Sequence, residues 1–181
     1  MRKKLPDEEF YHLINHGPCV LVTSGSMKRG EINVAPIAWG TPVNDEPPLV
    51  AICVATSHHT AKLINKYGCF AINLVSRQLI PAIKICGSVS GRHADKFKRA
   101  GITPSGCRKI STPFIKESAG HIECKLKTKA DYGGVFLFVG KVVHCEIENR
   151  FYDGHLLPEK AKTPHHLGGS YFFVSGKRKK Y

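Results

Sequence analysis

What most constrains this chain is a series of short apolar, β-branched runs, each cut off by glycine, proline or asparagine before it can extend. Residues 19–24, 34–39, 49–55 and 69–74 are such runs, and their length and boundaries predict strands. Residues 121–128 alternate, with Ile122, Cys124 and Leu126 on one face and Glu123, Lys125 and Lys127 on the other, as in a half-buried strand. Residues 135–148 form a longer run interrupted at Gly140, which reads as a strand bent or bulged at the glycine. Residues 171–174 add a last short strand. Helical spacing is confined to three places. Residues 6–14 put Phe10, Leu13 and Ile14 on an inward face behind an acidic first turn, residues 60–67 turn Ala61, Leu63 and Ile64 inward, and residues 94–100 stop at Gly101. Residues 153–169, carrying Gly, Pro, His and Lys, read as a long loop. Closely spaced strands with a few short helices predict a mainly β chain built as a closed or split antiparallel barrel.

At 181 residues the chain is expected to be one domain spanning 1–181, long enough to bury a core without disulfides or metals. An apolar fraction of 42% with 23% charged residues excludes whole-chain disorder. The longest apolar run, 49–55, is far below the ~20 residues that cross a bilayer. Met1-Arg2-Lys3-Lys4 starts like a signal peptide, but Leu5-Pro6-Asp7-Glu8-Glu9 follows where an apolar segment should stand. The expectation is therefore a cytoplasmic protein. Its 27 basic against 14 acidic residues leave +13, part of it in a basic C-terminal tail, 177–181. Such a surface attracts polyanions. No aromatic-interleaved basic stretch and no zinc-finger spacing accompany it, so a non-catalytic basic binding module rests on charge alone. The seven cysteines include no Cys-x-x-Cys pair and mostly fall in apolar stretches, which reads as buried free thiols in a reducing compartment. No metal ligands are assigned.

Four constellations can carry chemistry. In Ala55-Thr56-Ser57-His58-His59-Thr60 a strand ends and a helix opens, so the hydroxyls of Thr56, Ser57 and Thr60 and the free N–H groups of the helix start can cradle a phosphate. The plainer alternative is that Ser57 or Thr60 caps the helix and the histidines face solvent. In Gly87-Ser88-Val89-Ser90-Gly91-Arg92, followed by Asp95-Lys96-Phe97, glycines allow close backbone approach and Arg92 and Lys96 can answer a negative charge. Alone, such a segment is more often just a flexible turn. In Asn33-Val34-Ala35-Pro36-Ile37-Ala38-Trp39-Gly40, small residues and a proline leave room for a flat ligand, the alternative being an edge strand with Trp39 in the core. His165-His166-Leu167-Gly168-Gly169 reads as a surface loop. No nucleophile elbow or Ser/His/Asp order supports hydrolysis.

Together these segments, with Pro47-Pro48, Asn73, Pro113-Phe114, Glu117, Glu123-Cys124 and Phe138-Val139-Gly140, resemble the flavin reductase-like family, and within it the flavoredoxins. The resemblance runs from about residue 20 to residue 143, and Ser90-Gly91-Arg92 with Asp95-Lys96-Phe97 is its most specific part. It implies a split β-barrel of Greek-key type that binds FMN as a homodimer, with the flavin near the subunit interface. It also implies that Ala35, Pro36, Ile37, Ala38 and Trp39 lie along the isoalloxazine ring. Thr56, Ser57, His59 and Thr60 would hold the FMN phosphate, and Ser88, Ser90, Arg92 and Lys96 would complete the ribityl and phosphate contacts. Where members of the family often carry a His before the Phe-x-Gly strand and a Glu after its glycine, this chain has Val135 and Lys141. In reductase relatives that His is associated with the nicotinamide site. The loss favours a flavoredoxin-type electron carrier served by an acidic protein such as a ferredoxin over an NAD(P)H-dependent flavin or ferric reductase. Flavin chemistry demands no side-chain acid or base, and no catalytic side chain is assigned.

Overall fold

Seven strands form one antiparallel sheet whose two edges are consecutive in the chain. The strands are β1 (Val20–Ser26), β2 (Glu31–Ile37), β3 (Gly40–Asp45), β4 (Pro48–Ala55), β5 (Cys69–Leu74), β6 (Pro104–Gly106), β7 (Pro113–Ile115), β8 (Gly120–Asp131), β9 (Val135–Ile147), β10 (Pro164–Gly168) and β11 (Tyr171–Val174). The large sheet runs β2-β1-β5-β8-β9-β4-β3, while β6 pairs with β7 and β10 with β11. Four short helices accompany them: α1 (His59–Tyr67), α2 (Ile80–Ser88), α3 (Lys96–Ala100) and α4 (Pro158–Ala161). This computed structural model describes residues 4–179; residues 1–3 and 180–181, with part of each basic end, lie outside that range.

Only Ala38 and Trp39 separate β2 from β3. Two residues span at most about 7 Å, so the sheet has to curl until its edges are neighbours. The Cys53 amide donates to the Trp39 carbonyl at 2.9 Å, which carries the β3–β4 pairing back into this two-residue connection at the seam. Inside the curl, Val20, Val22, Ile52, Val54, Phe70, Ile72 and Phe138 make one apolar cluster. Outside it, Leu21, Val34, Val75, Ile83, Phe97 and Ile115 form a second cluster against α2 and α3. All seven residues of β1 are buried because it is covered on both faces.

The expected strands at 19–24, 49–55, 69–74, 121–128, 135–148 and 171–174 all appear within a few residues of those bounds. The 34–39 run is displaced: β2 begins at Glu31 and ends at Ile37, and Trp39 lies outside the core with 45% of its surface exposed. Residues 6–14 form a 3₁₀ turn, Asp7–Leu13, and Phe10, Leu13 and Ile14 are exposed. Their periodicity is real, but among the described residues nothing buries that face. β3, exposed along its whole length, has no apolar alternation to announce it. α2 is apolar almost throughout, so no polar face marked it as a helix. The expected loop at 153–169 instead carries α4 and β10, and the Cys19 amide bonds the Pro164 carbonyl at 2.8 Å. His165 and His166 are therefore strand residues; His165 stacks on Phe173 with ring centroids 4.5 Å apart. The seven cysteines are free thiols. Burial pushes Cys19 and Cys86 up to about 11 and Cys124 to about 12, which keeps them neutral at pH 7.

Gly140 stays paired to Leu126 and Val50; the ladder slips beside it, with the extra residue, Lys127, on β8, and again at Val143 on β9. A Cβ at Gly140 would stand 2.7 Å from Phe70 Cζ and 2.9 Å from Cys124 Cβ. The glycine is there so that Phe70, fully buried, can reach the centre of the barrel. Gly140→Ala is therefore expected to destabilise the fold by about 1–3 kcal/mol, the usual cost of overpacking a filled core. Urea denaturation of the two proteins, compared at equal slope, checks this.

Candidate functional site

At the end of β4 the chain turns through residues 56–58 into α1. His58 occupies the N-cap position and no side chain caps the helix. Among the described residues the amides of His59 and Thr60 have no hydrogen-bond partner, whereas those of Ala61 and Lys62 bond back to His58. The hydroxyls of Ser57 and Thr60 are thus free of the capping duty that sequence alone allowed them. A helix start with unused amides carries partial positive charge and attracts anions.

Facing this turn across a cavity of about 350 Å³ are the last residues of α2 and the loop after it. Ser88 and Ser90 line the cavity with Ser57, His59, Thr60 and Lys96. Arg92 ties the two walls together, its Nη2 donating to the Ser57 carbonyl at 2.7 Å. Lys96, only 7% exposed, donates to the Cys86 carbonyl at 2.6 Å. No carboxylate lies in ion-pair range of it among the described residues. Burial holds its ammonium below the ordinary lysine range. A buried cation without a counter-charge favours an anion in the cavity beside it.

Asn33, on β2, is a member of the site that sequence reading had only as part of a strand. It is buried, its Nδ2 donates to Thr60 Oγ1 at 2.9 Å, and its Oδ1 has no partner. The signal was an asparagine at an inward position beside Val34 and Ala35. Gly91 packs on it so closely that a Cβ there would fall 1.9 Å from Asn33 Oδ1, so any side chain at 91 would fill the cradle.

The stretch 35–39 is divided by the seam. Ala35 and Pro36 line the polar cavity, Ile37 is buried in the barrel cluster, and Ala38 and Trp39 line a second cavity of about 300 Å³. That second space is apolar, with Tyr11, Ile14, Cys53 and Leu137 among its walls; the Tyr11 and Trp39 rings lie 5.8 Å apart. Thr56 lines neither cavity, and its amide is taken by the Gly134 carbonyl at 2.8 Å. Of the thirteen residues singled out, all but Ile37, Thr56 and Arg92 line one cavity or the other.

His59 Nδ1 is buried without a partner. Burial first, then the charges of Lys62 and Arg92, hold the imidazole below the ordinary histidine range, with Glu31 opposing weakly. Below a pH of about 6.5 the unfolded chain therefore binds more protons than the fold at this position, and acidification costs stability. An anion placed in the cavity reverses the local field and favours the imidazolium. The His59 titration, followed by NMR, is expected to lie below that of exposed histidines and to move upward when inorganic phosphate is added. A titration that phosphate leaves in place would show that His59 does not face the anion.

The uncharacterized protein YddH of Escherichia coli (strain K12) is 36% identical, over 94% of each chain. The flavoredoxin of Desulfovibrio vulgaris (Miyazaki F) superimposes with a TM-score of 0.89, covering 100% of this chain and 97% of that one at 22% identity. An FMN-binding protein from Thermus thermophilus superimposes with a TM-score of 0.83, covering 100% and 98% at 22% identity. The fold is thus that of the split-barrel structures. The model of the flavin reductase like domain matches residues 13–159, and the chain belongs to that family.

Proposed function

We propose that the polar cavity holds the phosphate of FMN, that the 35–39 seam and its apolar cavity hold the flavin ring, and that the protein is a flavoredoxin-type electron carrier. The observation that carries this reading is the union of three things: an uncapped helix start, a buried Lys96 with no carboxylate in ion-pair range among the described residues, and an apolar cavity walled by exposed Trp39. The residues present fit the group: the orphaned Asn33 Oδ1 and His59 Nδ1 are polar atoms lacking a partner inside the protein. Thr60, Ser57, Ser88, Ser90 and Lys96 would bind the phosphate and ribityl chain, and Arg92 would keep the two walls in register. Bound FMN would supply one- and two-electron transfer; the protein orients it and excludes water from one side.

FMN is expected to bind apoprotein more tightly than riboflavin or FAD, since the cradle answers a terminal phosphate dianion. Replacing Ser57 and Thr60 together by Ala should weaken FMN but hardly riboflavin. Each hydrogen bond lost to a charged group costs about 1.5–3 kcal/mol, roughly ten- to a hundredfold in affinity. Fluorescence titration with the three flavins reads both effects. Equal weakening of FMN and riboflavin would mean that the hydroxyls are structural only.

Carrier is favoured over NAD(P)H-dependent reductase by two positions. Val135 opens β9 opposite Ala55, one residue from the cradle turn, and offers no hydrogen bond to a nicotinamide carboxamide. Lys141 sits across the ladder from Lys125, and with Lys127 and Lys129 forms an exposed basic stripe along β8–β9. Such a stripe suits an acidic redox protein of the ferredoxin kind, with a rate that falls as salt rises. Free thiols fit the reducing cytoplasm. Exposed Phe10, Leu13, Ile14 and Trp39 suit a homodimer built over the apolar cavity, so light scattering of the FMN-loaded protein should give twice the 20.0 kDa chain mass. In stopped-flow experiments NADH and NADPH should reduce the bound flavin slowly. Saturable reduction at the ~1–10³ per second of ordinary enzymes would assign the reductase function instead.

A further inference from the structure

On the far part of the sheet, β8 and β9 set four ligand-type side chains on one face of their ladder. His121 pairs with Glu146 and Glu123 with His144, and residues two apart on a strand share a face. The segment between β6 and β7 brings Cys107 to the same place. Ligand atoms of Cys107, His121 and Glu123 lie within 4.8 Å of one another, and so do those of His121, His144 and Glu146. None of these five residues lines either cavity described above.

His121 is the member common to both groups. It is 5% exposed, and its Nε2 has no hydrogen-bond partner. Its ring is held flat against Phe114, centroids 4.1 Å apart and 9° from parallel. Glu123 Oε1 stands 3.5 Å from Nε2. That is too long for the ~2.7–2.9 Å of a charge-assisted hydrogen bond. It is close to the roughly 3.3 Å separating two ligands that each sit ~2.0–2.1 Å from a tetrahedral ion. The fully buried Glu123 carboxylate is already oriented, accepting the amides of Arg108 at 2.8 Å and Lys109 at 2.7 Å, the two residues that follow Cys107. Ligands pinned by their own hydrogen bonds are the usual support of a metal centre.

We propose that Cys107, His121 and Glu123 form a zinc site, with the fourth ligand drawn from the His144–Glu146 pair beside them. A thiolate with imidazole and carboxylate selects a borderline ion such as zinc over magnesium or calcium, which take oxygen. The ion would satisfy the orphaned nitrogen of His121 and clip the 107–112 segment to the β8–β9 ladder, so its binding adds directly to folding stability. Spacing rules could not find this site, because its ligands come from three separate segments.

The test is cobalt and then zinc titration of the full chain after treatment with a chelator. One cobalt per chain is expected, with the strong visible bands of a tetrahedral ion and a thiolate-to-cobalt charge-transfer band, both removed by zinc. Zinc should also raise the unfolding temperature. Cys107→Ser should abolish the charge-transfer band and weaken zinc by more than the roughly 10–100-fold that follows loss of an outer-shell partner. Cys107 is only half-buried, so this variant is expected to fold, which circular dichroism verifies. Cys145→Ser, on the opposite face of β9, should leave everything unchanged. Failure to bind one ion per chain, or a charge-transfer band that survives in Cys107→Ser, would overturn the proposal. Neither readout depends on FMN.

Discussion

A sheet whose first and last strands are joined by two residues has no choice but to close on itself, and the rest of the molecule is arranged around that closure. The interior is filled by Phe70, Phe138, Ile52 and their neighbours, and Gly140 is the position that lets Phe70 in. Phe70, Phe138 and Ile52 are almost completely buried there. Space appears instead along the outside of the seam, where β2 turns into β3. There Ala35 and Pro36 line a polar cavity, and Ala38 and Trp39 an apolar one. The turn into α1, at the end of β4, and the loop after α2, a helix packed against β2, complete the polar side.

The polar cavity is held open at an energetic cost. Lys96 is buried without a carboxylate, and Asn33 Oδ1 and His59 Nδ1 are unpaired. Each buried, unsatisfied group costs about 1–3 kcal/mol, and a core of apolar residues could have replaced them. An anion would answer Lys96 and an N–H at His59 Nδ1, while Asn33 Oδ1, an acceptor, would need a hydroxyl donor such as the ribityl chain of the same ligand carries. The same logic applies at the β8–β9 ladder, where the orphaned atom is His121 Nε2. There the side chains around it are those of Cys107, Glu123, His144 and Glu146, and the proposed ligand is a cation.

Much of this was legible in the amino-acid sequence. The strands announced themselves as apolar runs with clear stops, and α1 and α3 as short helices ending at Gly68 and Gly101, both left-handed. Ser57, Thr60 and Lys96 stand out on chemistry, His59, Ser88 and Ser90 through the family resemblance, and all six meet on one cavity. What escaped did so for physical reasons. Apolar spacing says that a face wants cover but not what covers it, so Phe10, Leu13 and Ile14 were placed inward and stand outside. An element without contrast, such as the all-exposed β3 or the nearly all-apolar α2, leaves no period to read. Asn33 and the His121 group are products of tertiary approach between segments far apart in the chain.

A crystal structure of the protein with FMN tests the central claim most directly. The account predicts the phosphate within hydrogen-bond reach of Thr60 Oγ1, the His59 and Thr60 amides and Lys96 Nζ, with the ring along residues 35–39. A phosphate lying away from the α1 start, or a flavin seated elsewhere on the barrel, would contradict it.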